Sequence, residues 1–434
     1  MDDSNSNFTA KAIKLLNNYP LPQNRISSHV ALALQQPDFM IDTHMHIFDF
    51  DALPPNYFIK RQFTAIPDVI IQQIINLIDK YKTKNQSKQK EIEKNLHRLL
   101  RTVNLGEQTE ESIIIMERFF LGEMKAMLEL YLDNYVPKAY TDHRERVITT
   151  PLMMDMEPGW GNTANKNYIE QINEVKLIGK DFAILPFVNL DPRRFENPIT
   201  FNKKSYNLYD IFLKAFTSEN LLKSKLVVGK TTPFFGVKIY PILGYKPSDE
   251  RLMPIFSICE KFQIPVTTHL GGTLIIQNPE IPNTSGLASG ELNQAELWLP
   301  VLKAYPKLRL NIGHFGGVTE WQLAKTGTST KIPAVLKLME YENVYADISY
   351  IIAEETIHDI LLSYLKKPEV LKKTLYGTDY WMLMREKNFK TNILNFCKKA
   401  AKIKVNGTSI WKHISKTNPV AFYGLNINSV KPNV

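Results

Sequence analysis

The sequence predicts an α/β protein, a (β/α)8 barrel with a long helical insertion after strand one. Three observations predict it. Eight short apolar runs recur along the chain, most of them closing on a polar or glycine-rich cluster. From the third run onward they alternate with helix-like segments, the pattern of a parallel sheet with crossover helices. The runs are apolar at nearly every position, as strands buried on both faces are. Eight is the strand count of a closed β/α barrel. An open doubly wound sheet is the competing arrangement.

The strands are expected at 40–47, 147–156, 182–190, 235–240, 264–270, 308–314, 344–350 and 374–379. The third ends before Asp191-Pro192, the fourth at Pro241, the fifth at Gly271-Gly272 and the sixth at Gly316-Gly317. Such residues stop a strand because they favour turn geometry. Helices are expected at 208–218, 248–262, 292–305, 332–342 and 354–365. Residues 48–146, far more than an ordinary βα connection, separate the first two strands. Two stretches there, 67–81 and 111–135, have helical periodicity. In the second, Ile114, Met116, Phe119, Phe120, Met124, Met127, Leu128 and Leu130 form a broad apolar face. The chain therefore divides into an N-terminal segment (1–39) and a barrel (40–434) carrying a helical insertion at 51–146. Barrel active sites lie at the C-terminal ends of the strands. An insertion after strand one rises from that face, where it is placed to cap the site or to form a homodimer interface.

Composition excludes several classes. The 434 residues are 44% hydrophobic and 22% charged, as in a soluble globular chain. There are two cysteines, Cys259 and Cys397, far from each other, which excludes a disulfide framework and fits a reducing cytoplasm. The acidic, polar start lacks a signal peptide's basic and apolar regions. No run approaches the roughly 18 apolar residues of a membrane-spanning helix. The net charge of +9 invites a nucleic-acid reading, but the lysines are dispersed and the densest stretch is broken by Glu91 and Glu93. Neither a nucleic-acid nor a membrane partner is expected. A small-molecule substrate is.

The chemistry begins in strand one, at His44-Met45-His46. On a strand, residues i and i+2 point to one face, so both imidazoles can reach one point. Two neutral imidazoles converging there suit a transition metal. Further polar residues stand at later strand ends: Lys238 on strand four, His269 on strand five, His314 on strand six and Asp379 on strand eight. Of the nine histidines, His97, His143, His358 and His413 scatter among presumed helices and the insertion. Arg193, just after strand three, is a candidate for gripping an anionic substrate, because a guanidinium pairs bidentately with carboxylates. Tyr240, Trp160, Trp381 and Glu157 are candidates for lining the pocket. Asp347 on strand seven is expected to brace a loop.

Taken in order, His44-x-His46, the His269 and His314 strands and the Asp379 strand resemble the metal-dependent amidohydrolase superfamily. The detail is most similar to its amidohydrolase-related branch, which holds carboxymuconate-semialdehyde decarboxylase-like enzymes alongside lactone and amide hydrolases. Supporting stretches are Pro186-Phe187-Val188-Asn189, Gly236-Val237-Lys238-Ile239-Tyr240-Pro241, Tyr376-Gly377-Thr378-Asp379 and the ending Asn418-Pro419-Val420-Ala421-Phe422-Tyr423-Gly424-Leu425. The resemblance spans residues 40–425, apart from the insertion, and implies a distorted TIM barrel. It implies His44, His46, His269 and Asp379 as metal ligands, with His314 beside the metal as a catalytic group. Three imidazoles and a carboxylate make a good zinc set with an open position for water. Manganese and iron suit the same donors. Asp379 can ligate or accept the water's proton, and His314 can polarise a carbonyl or protonate a leaving group. In two-metal members a strand-four lysine bridges the ions, so Lys238 is a candidate bridge or a substrate contact. The resembled branch uses one metal, and one is expected here. The implied activity is hydrolysis of an amide, ester or lactone. Non-oxidative decarboxylation on the same scaffold is the alternative, and a non-catalytic metal-containing binding protein is the alternative of another class.

Overall fold

In the computed structural model, which describes residues 2–54, 68–83, 86–102, 110–137, 142–218, 231, 233–272, 276–281 and 283–427, all eight expected strands form in the expected order. They are β1 (Met40–Met45), β2 (Val147–Pro151), β3 (Phe187–Asn189), β4 (Gly236–Ile239), β5 (Val266–His269), β6 (Leu310–Gly313), β7 (Val344–Asp347) and β8 (Thr374–Leu375). Strands β3 to β8 form one parallel sheet in sequential order, and β1 pairs in parallel with β2. The ladder does not run unbroken around the ring. The seam from β2 to β3 is made by single bridges, Thr149 to Ile184 and Leu152 to Phe187. The seam from β8 to β1 is made by a Met45–Tyr380 bridge and by the Thr43 amide donating to the Tyr376 carbonyl at 2.9 Å. This is a distorted form of the β/α barrel that the strand count predicts. Each strand is shorter than its apolar run.

Helices α1 (Asp2–Leu16) and α2 (Ser28–Gln35) precede β1. Among the described residues the insertion forms four helices: α3 (Asp68–Thr83), α4 (Gln86–Thr102), α5 (Glu110–Leu121) and α6 (Met124–Asn134). The first residue of the helix expected over 67–81 lies outside the described residues. The single helix expected over 111–135 is broken in two at Gly122. A Cβ there would stand 2.4 Å from the Arg118 carbonyl oxygen, and the chain turns at this close approach. Past the break, the Met124 amide donates to Glu174 at 3.2 Å. Phe119, Phe120, Met127, Leu128, Tyr131 and Leu132 are buried in one core shared with the barrel. Most of the apolar face that suggested a dimer interface is thus packed inside the chain, with Ile114 left exposed. The large apolar side chains exposed among the described residues (Leu21, Leu32, Val69, Ile114 and Leu323) are scattered. No described helix is long and apolar enough to cross a membrane.

The crossover helices follow β2 to β8: α7 (Tyr168–Ile178), α8 (Leu208–Phe216), α9 (Met253–Lys261), α10 (Leu299–Ala304), α11 (Lys331–Leu338), α12 (His358–Leu365) and α13 (Phe389–Lys402). Their starts are chemically marked. Asn167 and Asn207 cap α7 and α8 through capping boxes with Glu170 and Asp210.

Candidate metal centre

Strand β1 delivers its histidines through a bulge. Asp42 pairs with Thr149 and Met45 with Pro151, so β1 spends one extra residue against β2. A bulge of this kind re-aims a side chain, and here it brings His44 and His46 to Asp379. The Nε2 of His46 lies 3.1 Å from Asp379 Oδ1, and the Nε2 of His44 lies 3.5 Å from the same oxygen. Two glycines make room for His44. A Cβ on Gly377 would stand 2.7 Å from the His44 Cβ, and one on Gly313 would stand 3.0 Å from its Cε1.

The opposite ring nitrogens fix the tautomers. His46 Nδ1 is 2.8 Å from the Leu152 carbonyl oxygen, so it carries the proton and donates. His44 Nδ1 donates to Asp347 Oδ2 at 2.9 Å. Burial lowers the His44 pKa to about 4 against the pull of Asp347, which keeps the ring neutral. Each Nε2 then presents a lone pair toward a carboxylate oxygen. His44 Nε2 and Asp379 Oδ1 are both buried and have no hydrogen-bond partner. Buried polar atoms are rarely left unpaired, and acceptors facing acceptors repel unless a cation or a proton lies between them. Burial alone would raise the Asp379 pKa, but His314, His46 and His44 outweigh it and hold the carboxyl well below the usual range. A neutral-imidazole and carboxylate set of this kind fits a divalent metal.

His314 belongs to the same cluster. His44, His314 and Asp379 each offer a ligand atom within 4.8 Å of the others. His269 stands one step back. Its Nε2 is 2.9 Å from the Gly272 carbonyl oxygen and donates to it, while His314 Nδ1 donates toward Ser349, whose hydroxyl is spent on Asp347, so His269 Nδ1 and His314 Nε2 meet as two lone pairs 3.0 Å apart. Burial lowers both of their pKa values. The structure therefore gathers His44, His46, His314 and Asp379, and sets His269 beside His314 rather than beside the carboxylate.

Lys238 is fully buried beside this cluster, with no hydrogen-bond partner for Nζ. Burial lowers its pKa to about 8, although Asp347 and Asp379 pull the other way. It is not among the described residues that line the cavity below.

A cavity of about 300 Å³ opens on the cluster. His46, His269, His314 and Asp379 form its floor, and Phe48, Met154, Val318, Ile351 and Met382 form apolar walls. Tyr240 lines it as expected, its ring 4.5 Å from that of His269. Four of the other expected residues are not among its described lining. Arg193 is held in a bidentate pair with Asp191, at 2.9 and 2.5 Å, and lies outside the lining, so its charge is already matched. Trp160 is buried elsewhere and donates its indole N–H to the Ile276 carbonyl at 3.1 Å. Trp381 packs behind the floor, stacked on Phe119 with ring centroids 4.5 Å apart. Glu157, too, is off the lining, paired with Arg194 at 2.7 Å. No described residue of the insertion helices reaches the lining, so the expected cap is not formed by them.

The strand ends carry backbone strain. His314 (φ 64°), Phe315 (40°), Tyr350 (64°), Asp379 (62°) and Trp381 (50°) are all left-handed without being glycine. Each such residue costs on the order of 1–3 kcal/mol, and such strain clusters at functional sites. Residues that sequence reasoning passed over hold these turns. Asp347 accepts from the backbone amides of His314 and Ser349 as well as from His44. Its bracing role had been anticipated, but Ser349, Asp42 and Tyr131 had not. Asp42, two residues before His44, was legible as part of Asp-x-His-x-His, whereas Tyr131 in a distant helix carried no signal.

Residues 222–425 match the amidohydrolase family model. No curated protein matches the chain. Among solved structures, it is similar to an uncharacterized TIM-barrel protein from Bordetella bronchiseptica, at 13% identity over 89% of this chain and 99% of that one, with a TM-score of 0.44. It is similar to 5-carboxyvanillate decarboxylase from Novosphingobium aromaticivorans at 12% identity, over 90% and 97% of the two chains, with a TM-score of 0.43. A probable 2-pyrone-4,6-dicarboxylic acid hydrolase from Acinetobacter baumannii shares 12% identity over 66% and 87%, with a TM-score of 0.40. The stretch matched by the amidohydrolase family model carries Lys238, His269, His314, Asp347 and Asp379.

Proposed function

We propose that this chain is a metal-dependent hydrolase acting at the carbonyl carbon of a neutral, largely apolar amide, ester or lactone. One observation carries the proposal. The lone pairs of His44 Nε2 and His46 Nε2 converge with Asp379 Oδ1 at the floor of a half-open, mostly apolar cavity. His44, His46 and Asp379 would hold one divalent ion, zinc first and manganese or iron next, with His314 within reach. Such an ion supplies Lewis-acid activation of water and of a carbonyl group. Asp379 is placed to take the proton that the attacking water loses. His314, on the cavity floor, is placed to exchange a proton with the substrate. His269, fixed on the Gly272 carbonyl through Nε2, would offer its Nδ1 as a further donor to the ion.

The walls speak for the substrate. No lysine or arginine is among the described lining residues, and the charged groups there besides Asp379 are Glu354 and Glu386. Away from the ion, a carboxylate substrate would meet two like charges and no described lysine or arginine. This favours hydrolysis of a neutral carbonyl compound over decarboxylation, and it replaces the anionic substrate inferred from Arg193. We place the protein in the cytoplasm, where the buried free thiols Cys259 and Cys397 stay reduced.

The test is a product-resolved screen of zinc- and manganese-loaded protein against lactones, esters, amides and aromatic carboxylates, following acid and carbon dioxide together. Acid release without carbon dioxide is expected. Chelation should abolish it and added metal restore it. Asp379→Asn should lower kcat by about 10²–10⁴-fold with the fold intact. Unchanged turnover in that variant would overturn the role of Asp379. Carbon dioxide release would establish the decarboxylase instead, and metal retention with no turnover on any class would favour a binding protein.

A further inference from the structure

The insertion contributes nothing described to the cavity, yet it reaches the metal centre from behind. Tyr131, on α6, donates its hydroxyl to Asp42 Oδ2 at 2.6 Å, and both side chains are fully buried. The other donors to Asp42 all belong to the ligand-bearing segments. The amides of His44 and Thr378 each lie 3.1 Å from Oδ1, and the Thr378 hydroxyl donates to Oδ2 at 2.6 Å. Next to this carboxylate, the His44 carbonyl accepts the amides of Thr378 and Asp379 at 3.1 and 2.7 Å. Asp42 therefore ties the backbone at His44 to the left-handed turn that presents Asp379. The same turn is backed a second time by the insertion, through Phe119 stacked on Trp381.

We infer that Tyr131 is a positioning residue of the metal centre, acting through Asp42 on the spacing between His44 and Asp379. The inference rests on the proposal that these two side chains hold the metal. A hydroxyl two contacts away from a metal ligand acts as outer partners of metal ligands do, by fixing where the ligand atoms stand. The insertion is then the back support of the site rather than its lid. It is also the element through which this chain differs from a plain eight-stranded barrel.

Tyr131→Phe tests this, because it keeps the ring that packs 5.0 Å from Tyr380 and removes only the hydroxyl. Cobalt(II) is titrated into metal-free wild type and variant, following the visible absorption band and the dissociation constant, with kcat and KM measured on the zinc-loaded proteins. The variant should bind cobalt about tenfold more weakly, with a shifted band and a reduced kcat at unchanged KM. Tyr168→Phe is the control. It also removes a buried hydroxyl, one that bonds Asn189 rather than a ligand-bearing segment, and its cobalt affinity and band should match those of wild type. If Tyr131→Phe, folded by circular dichroism, binds cobalt like wild type with the same band, the positioning role is overturned while the metal centre stands. If both variants weaken binding equally, general destabilisation explains the effect and the inference is again overturned. If wild type binds no cobalt, the metal centre itself falls, and the inference with it.

Discussion

Replacing Lys238 by methionine should stabilise the metal-free protein at neutral pH. Lys238 is fully buried, and its Nζ has no hydrogen-bond partner. The nearby Asp347 and Asp379 attract the charge, but burial outweighs them and the pKa falls from the ordinary 10.5 to about 8. At about 1.4 kcal/mol per pH unit, that fall corresponds to about 3 kcal/mol of destabilisation while the amine is charged. Because the folded-state pKa is the lower of the two, the folded protein releases this proton before the unfolded chain does. The contribution to stability is therefore most favourable above about 10.5, is lost as pH falls toward 8, and is level below 8. Methionine fills a similar volume without a charge. The variant should gain up to about 3 kcal/mol at pH 7, and the gain should shrink steadily between pH 8 and 10. Urea denaturation of chelated wild type and variant across pH 6–10 measures it. A variant less stable than wild type at pH 7, or a gain that does not vary with pH, would refute the reasoning. The first outcome would mean that the amine is paired in solution with Asp347 or Asp379.

Two further outcomes are expected. Gly377→Ala brings a Cβ to 2.7 Å from that of His44 and 3.1 Å from that of Ser349. It should cost about 1–3 kcal/mol by overpacking and weaken metal binding, checked by thermal melting and by metal titration. Arg193→Met breaks a buried pair and leaves Asp191 charged and unmatched. It should destabilise by about 3–5 kcal/mol in denaturant while leaving KM within about twofold of wild type for any substrate found. A large rise in KM would return Arg193 to the substrate site.

Much of the barrel was legible, because strands buried on both faces write themselves as continuous apolar runs. All eight appear, and their order along the chain is their order in the ring. The ligand-type residues were legible for a related reason. Barrel strands end at the active face, so His44, His46, Lys238, His269, His314 and Asp379 could be found by looking where each run stops. What a strand end does not reveal is direction. The residues after Asp191 and Asp379 stand at the correct ends, yet Arg193 turns to its neighbour Asp191 and Trp381 turns away from the cavity to Phe119. Local pairing decided the first and packing against the insertion decided the second. Neither has a period or a motif. The break at Gly122 was hidden in the same way, since the apolar face continues across it.

The strain at the site explains why so much of the molecule is committed to buried carboxylates that are not expected to touch a metal. His314, Tyr350 and Asp379 sit in left-handed backbone at the ends of β6, β7 and β8, and no local preference of those residues would keep them there. Two hubs do. Asp347 accepts from the side chains of His44, Asn311 and Ser349 and from the amides of His314 and Ser349. Asp42 accepts from His44, Thr378 and Tyr131. His44 alone is held by both hubs, by its ring on one and its amide on the other. That doubly fixed imidazole is the point about which the rest of the cluster is placed. A buried carboxylate surrounded by donors is rigid only while all of them are present, so the loss of one distant donor should be felt first as a change in spacing at the ligands, before it is felt as a loss of fold.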